Sequence, residues 1–272
     1  MQTIGRSTFT TVTTEGAILP ADLLQRIAEG RELEGLRPAD YHLAPNERLN
    51  EAISRSWNRL LAVWESFDEQ RKALPEDDRG TTLTRERWLL ILFQELGYGR
   101  LPFKGSLALD GQDEASASYP ISHEYDRVPI HLVSLRQPLD RADVDRGESF
   151  RRSPHSLVQE FINRSDRHLW GIVSNGLRLR VLRDNASFTR AAYLEFDLEA
   201  MMAGELYADF SLLWLTVHQS RLEGAPESCW LEKWSREAAE QGTRALDSLR
   251  DGVQEAIAIL GRFESNEPDG AA

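Results

Sequence analysis

Two arginines, Arg178 and Arg180, have the type and spacing best suited to binding chemistry in this chain. They stand two residues apart in a strand-like run, so both side chains point to the same face, and Arg183 and Arg190 follow closely. A guanidinium presents a planar fork of N–H donors that matches the oxygens of a phosphate. The four arginines therefore predict DNA binding through phosphate contacts. Arginines on an exposed strand can equally keep a sheet edge soluble, and the sequence favours neither interpretation.

The histidines and the cysteine form no pattern typical of a metal site or an activated nucleophile. None of the six histidines has a partner four residues away, the spacing that lets one helix face hold zinc. Cys229 is the only cysteine, which excludes an intrachain disulfide and a multi-thiolate zinc site. His131 alternates with apolar neighbours, and we interpret it as a structural histidine. We expect neither a metal site nor a cofactor.

A hairpin is predicted to position the arginines. The strand-like runs at residues 169–174 and 177–182 flank an Asn175-Gly176 pair. Such a pair predicts a tight two-residue turn, because both turn positions then need positive φ.

Helical and strand-like segments alternate along the rest of the chain. Apolar residues recur at helical spacing from residue 49 to residue 67 and predict a long helix. A further helix is predicted to begin with Thr84 as its N-cap and to end at Gly97. Strand-like segments follow at residues 101–109, 119–122 and 128–135. Together these elements indicate an α/β (α+β) fold with a mixed sheet flanked by helices.

Polar breaks and changes of periodicity divide the chain into four segments. They are an N-terminal strand and helical segment (1–75), an α/β core (76–198), a C-terminal helical arm (199–263) and a tail expected to be disordered (264–272). In the arm, apolar residues follow a 3-4-4-3 spacing that suits packing against another helix: Leu246, Leu249, Val253, Ile257 and Leu260. We therefore expect the arm to associate with another protein.

The charge balance limits how the chain could bind DNA. Its net charge is −12, which opposes non-specific attraction to a polyanion, so DNA binding requires a local basic face. No apolar run approaches the roughly 20 residues of a membrane span, and the N-terminus has no apolar stretch of signal-peptide length. We expect a soluble, cytoplasmic protein with no membrane partner.

The segment from residue 153 to residue 210, which begins SPHSLVQEFINRSDRHLWGIVSNGLRLRV, resembles a region of known DNA-modifying enzymes. It is similar to the N-terminal region of fused restriction-modification adenine methyltransferases, including those of DISARM-type phage defence, and the likeness runs from about residue 9 to about residue 262. The methylase loops of that family, an Asn-Pro-Pro-Tyr-type loop and a glycine-rich loop for the methyl donor, do not occur in this sequence. The resemblance implies a module that works beside a methylase.

The order helix, strands, helix and hairpin between residues 84 and 183 resembles the core of PD-(D/E)XK nucleases. In that fold one strand supplies a carboxylate, one intervening residue and a lysine, and an earlier acid completes a Mg²⁺ site. On this resemblance Ser134 stands in place of the carboxylate and Arg136 in place of the lysine. Glu124 and Asp126 are then relics of the earlier acid.

These replacements imply that the nuclease site is dismantled. The hydroxyl of Ser134 is a poor Mg²⁺ ligand, and an arginine whose pKa exceeds about 12 cannot exchange a proton at neutral pH. No acid-x-lysine pattern occurs anywhere in the sequence. We expect a non-catalytic module that positions DNA or scaffolds subunits, with a methyltransferase or another defence-system subunit as partner. The alternative is a metal-dependent endonuclease that uses Glu124, Asp126 and a non-standard third ligand.

Overall fold

A six-stranded mixed sheet forms the centre of the structure, a computed structural model that describes residues 9–16, 18–30, 33–109, 118–143, 151–184 and 192–264. In spatial order its strands are β1 (Val12–Glu15), β8 (Tyr193–Asp197), β7 (Arg178–Arg183), β6 (Trp170–Ser174), β5 (Val128–Leu132) and β4 (His123–Tyr125). Strands β5 and β6 run parallel, and the other neighbouring pairs are antiparallel. A separate two-stranded sheet pairs β2 (Leu107–Ala108) with β3 (Ser118–Tyr119).

Helices cover both faces of the central sheet. They are α1 (Ala21–Glu29), α2 (Leu49–Lys72), α3 (Thr81–Thr84), α4 (Leu90–Glu95), α5 (Pro154–Arg164), α6 (Leu198–Ala203), α7 (Tyr207–Val217) and α8 (Trp230–Glu264). A π-helical turn, Arg85–Leu89, joins α3 to α4, and α5 is the crossover between the parallel strands β5 and β6. The predicted α/β (α+β) class, a mixed sheet flanked by helices, is confirmed.

Successive side chains along the strands belong alternately to two hydrophobic clusters. Ile172 and Val181 belong to the larger cluster, whereas their chain neighbours Val173 and Leu182 belong to the smaller one beneath α5. All five residues of β6 are buried, as expected for a strand covered on both faces. The larger cluster takes residues from the first three predicted segments, so residues 9–234 share this core.

The local predictions hold for the helices and need correction at one capping position and in one strand. The long helix at residues 49–67 is confirmed by α2, and the predicted end at Gly97 is confirmed, with φ at 85°. Thr84 is not an N-cap: α3 begins at Thr81, and the Thr84 hydroxyl donates to the Gly80 carbonyl oxygen at 2.7 Å. Residues 101–109 contain only the short β2.

The hairpin between β6 and β7 is confirmed, but its turn differs from the prediction. Gly176 has a φ of 83°, whereas Asn175 does not adopt positive φ. The Asn175 side-chain oxygen instead accepts the backbone N–H groups of Leu177 and Arg178 at 3.1 and 2.9 Å. Three residues, 175–177, lie between β6 and β7, so the turn is longer than two residues, and the asparagine side chain closes it.

The last helix, α8, packs against the body of the protein at its N-terminal base and extends away from it further along. Its base is anchored by Trp234, which is buried and donates its indole N–H to the Glu34 carbonyl oxygen at 2.9 Å. Further along, Leu249, Val253 and Ile257 are 65%, 50% and 63% exposed. Among the described residues, no helix is both long enough and apolar enough to cross a membrane.

Candidate functional site

The two acids that the nuclease resemblance singled out, Glu124 and Asp126, lie near the hairpin that joins β4 to β5, and each has a partner there. The Glu124 carboxylate contacts Nε2 of His168 at 3.0 Å, and this hydrogen bond lowers the pKa of Glu124. Asp126 occupies the turn with a φ of 50°, and its carboxylate accepts the backbone N–H of Gly224 at 2.8 Å. Both carboxylates thus hold neighbouring segments of the chain together.

Ser134 and Arg136 lie beyond the other end of β5. The five residues of β5 separate them from Asp126 by about 17 Å at 3.3 Å per residue. Arg136 turns away from the sheet, and its guanidinium donates to carbonyl oxygens just after α2, including that of Pro75 at 2.7 Å. The four residues singled out by the nuclease resemblance therefore do not converge. In the part of the chain that the structure describes, no three His, Cys, Asp or Glu residues are grouped to hold a metal ion.

Ser134 nevertheless faces a cavity of about 220 Å³ at this end of β5. The cavity lies between β5, the start of α3, the loop after α4 and the N-terminus of α5. Three arginines, Arg79, Arg85 and Arg152, and one carboxylate, Asp143, line it. The lining side chains themselves thus carry three positive charges and one negative charge, in a chain whose total charge is −12.

Each of the three arginines also contacts a carboxylate. Arg79 pairs with Asp143. Arg85 lies 3.1 Å from Glu86, and Arg152 lies 2.6 Å from Glu160. These acids are partly solvated, and ion pairs of that kind contribute only about 0–1 kcal/mol. The arginines can therefore exchange such partners for a stronger anion. Each guanidinium also has five N–H donors, so it can bind a ligand oxygen in addition to its present partner.

An exposed phenylalanine stands at the mouth of the cavity. Phe103 is 65% exposed, which is unusual for a large apolar side chain, and the Arg85 guanidinium lies 5.6 Å from its ring centroid. A second opening of about 640 Å³ lies on the far side of this pair and includes Arg100. His123 borders it, and burial together with the nearby Arg85 lowers the pKa of His123 to about 4, so its ring is neutral at pH 7.

The arginines of the hairpin strand are placed differently. Arg178 and Arg180 lie on one face of β7, as their spacing predicts, and both bind Glu195. Arg180 is buried, and it also binds Asp140 at 2.5 and 2.8 Å. Its guanidinium is committed to two carboxylates, an arrangement that suits a structural role better than phosphate contact.

Arg178 and Arg183 are both paired with carboxylates on neighbouring elements. Arg178 is 48% exposed and contacts the carboxylates of Glu195 and Asp197 at 2.9 and 3.0 Å. Arg183 binds both carboxylate oxygens of Glu232, at the base of α8, at 2.9 Å each. Arg190 lies outside the described residues, as do the tail residues 265–272.

The sequence interpretation missed Arg79, Arg85, Arg152 and Phe103. The segment Arg100 to Gly105, RLPFKG, carried a usable signal, because it places an aromatic residue among basic ones between two glycines. The three arginines carried no such signal in the sequence, because they come from separate segments of the chain. Comparison of the chain with protein-family models, curated proteins and solved structures finds no match to any of them.

Proposed function

We propose that this chain is a non-catalytic scaffolding subunit that binds a helical partner through α8. The row Leu249, Val253 and Ile257 carries the proposal, because three large apolar side chains stand exposed at successive four-residue steps on one helix. Residues four apart lie on the same helix face. Covering such a row with a second helix is the usual way to remove it from water.

The position of the row along α8 supports this role. The base of the helix is held to α1, where Arg26 contacts Glu237 at 3.3 Å and Gln241 at 3.4 Å. The 23 residues from 242 to 264 extend about 34 Å further at 1.5 Å per residue. That length presents about six helical turns to a partner.

The identity of the partner follows from the resemblance and is part of the proposal. A chain similar to the N-terminal region of restriction-modification methyltransferases has a methyltransferase subunit as its natural neighbour. The separation of Glu124, Asp126, Ser134 and Arg136 supports a non-catalytic role. Cleavage of DNA with Mg²⁺ or Mn²⁺ that Asp126→Ala abolishes would instead favour the alternative, a metal-dependent endonuclease.

The test is association of the full chain with an adenine methyltransferase subunit of a restriction-modification system. Light scattering after size-exclusion chromatography should show a complex for the native chain and at least a tenfold weaker one for Val253→Asp. Gln254→Asp is the matched control, because it adds the same charge to the neighbouring exposed position. The proposal fails if the native chain stays monomeric with this partner, or if both variants bind equally well.

A second candidate function, positioning of DNA, is favoured by the exposed Phe103 beside the arginines of the cavity. Aromatic side chains next to basic ones are the usual platform for unpaired bases. Binding of this kind weakens as salt rises, because counterions are released when phosphates are neutralised. Affinity for a single-stranded oligonucleotide that does not change between 50 and 200 mM salt would remove this candidate.

A further inference from the structure

We infer that the cavity at the end of β5 binds the terminal phosphate of a nucleotide, with the attached base stacked on Phe103. The ligand class is a phosphate monoester joined to a planar base. It can come from a free nucleotide or from the 5′-phosphorylated end of a single strand. The inference deepens the candidate function of DNA positioning. It rests on that function only if the phosphate belongs to the end of a single strand, and not if it belongs to a free nucleotide.

Size restricts what can enter the cavity. Its volume of about 220 Å³ is just below the range of roughly 300–1,000 Å³ that is typical of pockets for drug-sized ligands. A phosphorylated sugar matches that volume, whereas a duplex does not. The base would then remain outside the cavity, at the mouth where Phe103 stands.

Ser134 supplies a hydrogen-bonding group aimed into this space. The residue is only 7% exposed, it lines the cavity, and within the described chain its hydroxyl has no hydrogen-bond partner. The Ser134 hydroxyl is not one of the buried polar atoms that lack a partner, so it is open to the cavity. There it can donate a hydrogen bond to a phosphate oxygen.

The charges of the wall favour a terminal phosphate over an internal one. Arg79, Arg85 and Arg152 outnumber the one lining carboxylate, Asp143, which would repel an anion placed next to it. A phosphate monoester carries about −1.5 to −2 charges at pH 7, against −1 for a diester. The monoester therefore gains more from these arginines.

The N-terminus of α5 does not supply the anion contacts. The backbone N–H of His155 donates to the Leu139 carbonyl oxygen at 3.0 Å, and that of Ser156 donates to the Ser153 hydroxyl at 3.1 Å. With both groups used, recognition depends on side chains. Arg152 is the one to vary, because it is half exposed and its loss leaves the core intact.

The test measures binding of a single-stranded octanucleotide, labelled at its 3′ end, with and without a 5′-phosphate, by fluorescence anisotropy. We expect the phosphorylated strand to bind at least tenfold more tightly, and Arg152→Gln and Ser134→Ala to abolish that preference. Phe103→Ala should weaken both strands roughly tenfold, since base stacking is lost. Arg55→Gln is the matched control, because Arg55 is an exposed arginine with one carboxylate partner, Glu47.

Competition with AMP and with inorganic phosphate separates the two sources. Binding of AMP with no binding of either strand assigns the cavity to a free nucleotide and removes DNA positioning, while the inference stands. Equal binding of both strands, sensitive to Phe103→Ala, overturns the inference and leaves DNA positioning in place. Absence of binding by AMP and by both strands overturns both.

Discussion

Arg180 lies directly opposite Glu195 on the neighbouring strands β7 and β8, and the two side chains form a buried ion pair. Asp140, from the loop after β5, contacts the other nitrogens of the same guanidinium. These hydrogen bonds raise the pKa of Arg180 despite the opposing effect of burial and lower the pKa of Asp140. The arginine therefore fastens the β5 loop to the sheet.

Arg180→Leu should destabilise the protein by about 3 kcal/mol. Removing one member of a buried pair leaves the other charge without compensation, which typically costs about 3–5 kcal/mol, and we take the low end because Asp140 is 66% exposed. Urea unfolding measures the difference. Arg178→Leu is the control on the same face: its side chain is half exposed, so the loss should stay below about 1 kcal/mol. Equal losses would show that Arg180 has no special structural role.

Gly176→Ala should cost about 3 kcal/mol, because two penalties add at this position. Its φ of 83° is unfavourable for a side chain by about 1–2 kcal/mol, and an added Cβ would lie 2.6 Å from Thr84 Cγ2. Gly99 has a φ of 62° with no atom within 4 Å of the added Cβ. Gly99→Ala should therefore cost only the backbone penalty. The prediction is wrong if thermal unfolding shows the same loss for both variants.

The sequence indicated the local elements well because their signals are local. Helix α2 follows from apolar spacing within 24 residues, and the hairpin follows from Asn175 and Gly176. The turn type was missed because the Asn175 side chain competes with the backbone for the same N–H groups. That competition depends on geometry that composition does not contain.

The candidate site could not be predicted in the same way. Arg85, Phe103, Ser134 and Arg152 are distant in sequence, and only the packing of α3 and α5 around β5 brings them to one cavity. The same holds for Arg180, whose partner Asp140 lies 40 residues away. A single sequence shows that such charges exist, but it does not show which of them face each other.

Stability should fall as the pH is lowered from 7.5 to 5, in part because of His218. Burial and the adjacent Arg221 lower the pKa of His218 to about 3, from an ordinary value of 6.5. Between these values the unfolded chain binds a proton that the folded chain does not, so the folded state loses stability as pH drops below 6.5. The loss from this residue at pH 5 is about 2 kcal/mol.

His218→Gln tests this assignment, because glutamine can still bond Ser220 but does not titrate. Urea unfolding at pH 7.5 and pH 5 should show a smaller pH-dependent loss in the variant than in the native chain, by about 2 kcal/mol. Identical losses in the two proteins would mean that other groups carry the pH dependence.

Deleting residues 243–272 should leave the stability of the body nearly unchanged and abolish association through α8. Past Gln241 the hydrogen bonds of the described residues, such as Thr243 to Ala239 at 3.0 Å, lie within the helix itself. The deletion should shift Tm by less than about 2 °C, because the described large apolar side chains that it removes, Leu249, Val253 and Ile257, are exposed. Trp234→Ala, at the base of the same helix, should instead cost about 3–5 kcal/mol, since the side chain is fully buried. A large loss on deletion would show that the outer half of α8 packs on the body, and the exposed row could then not serve as the partner surface.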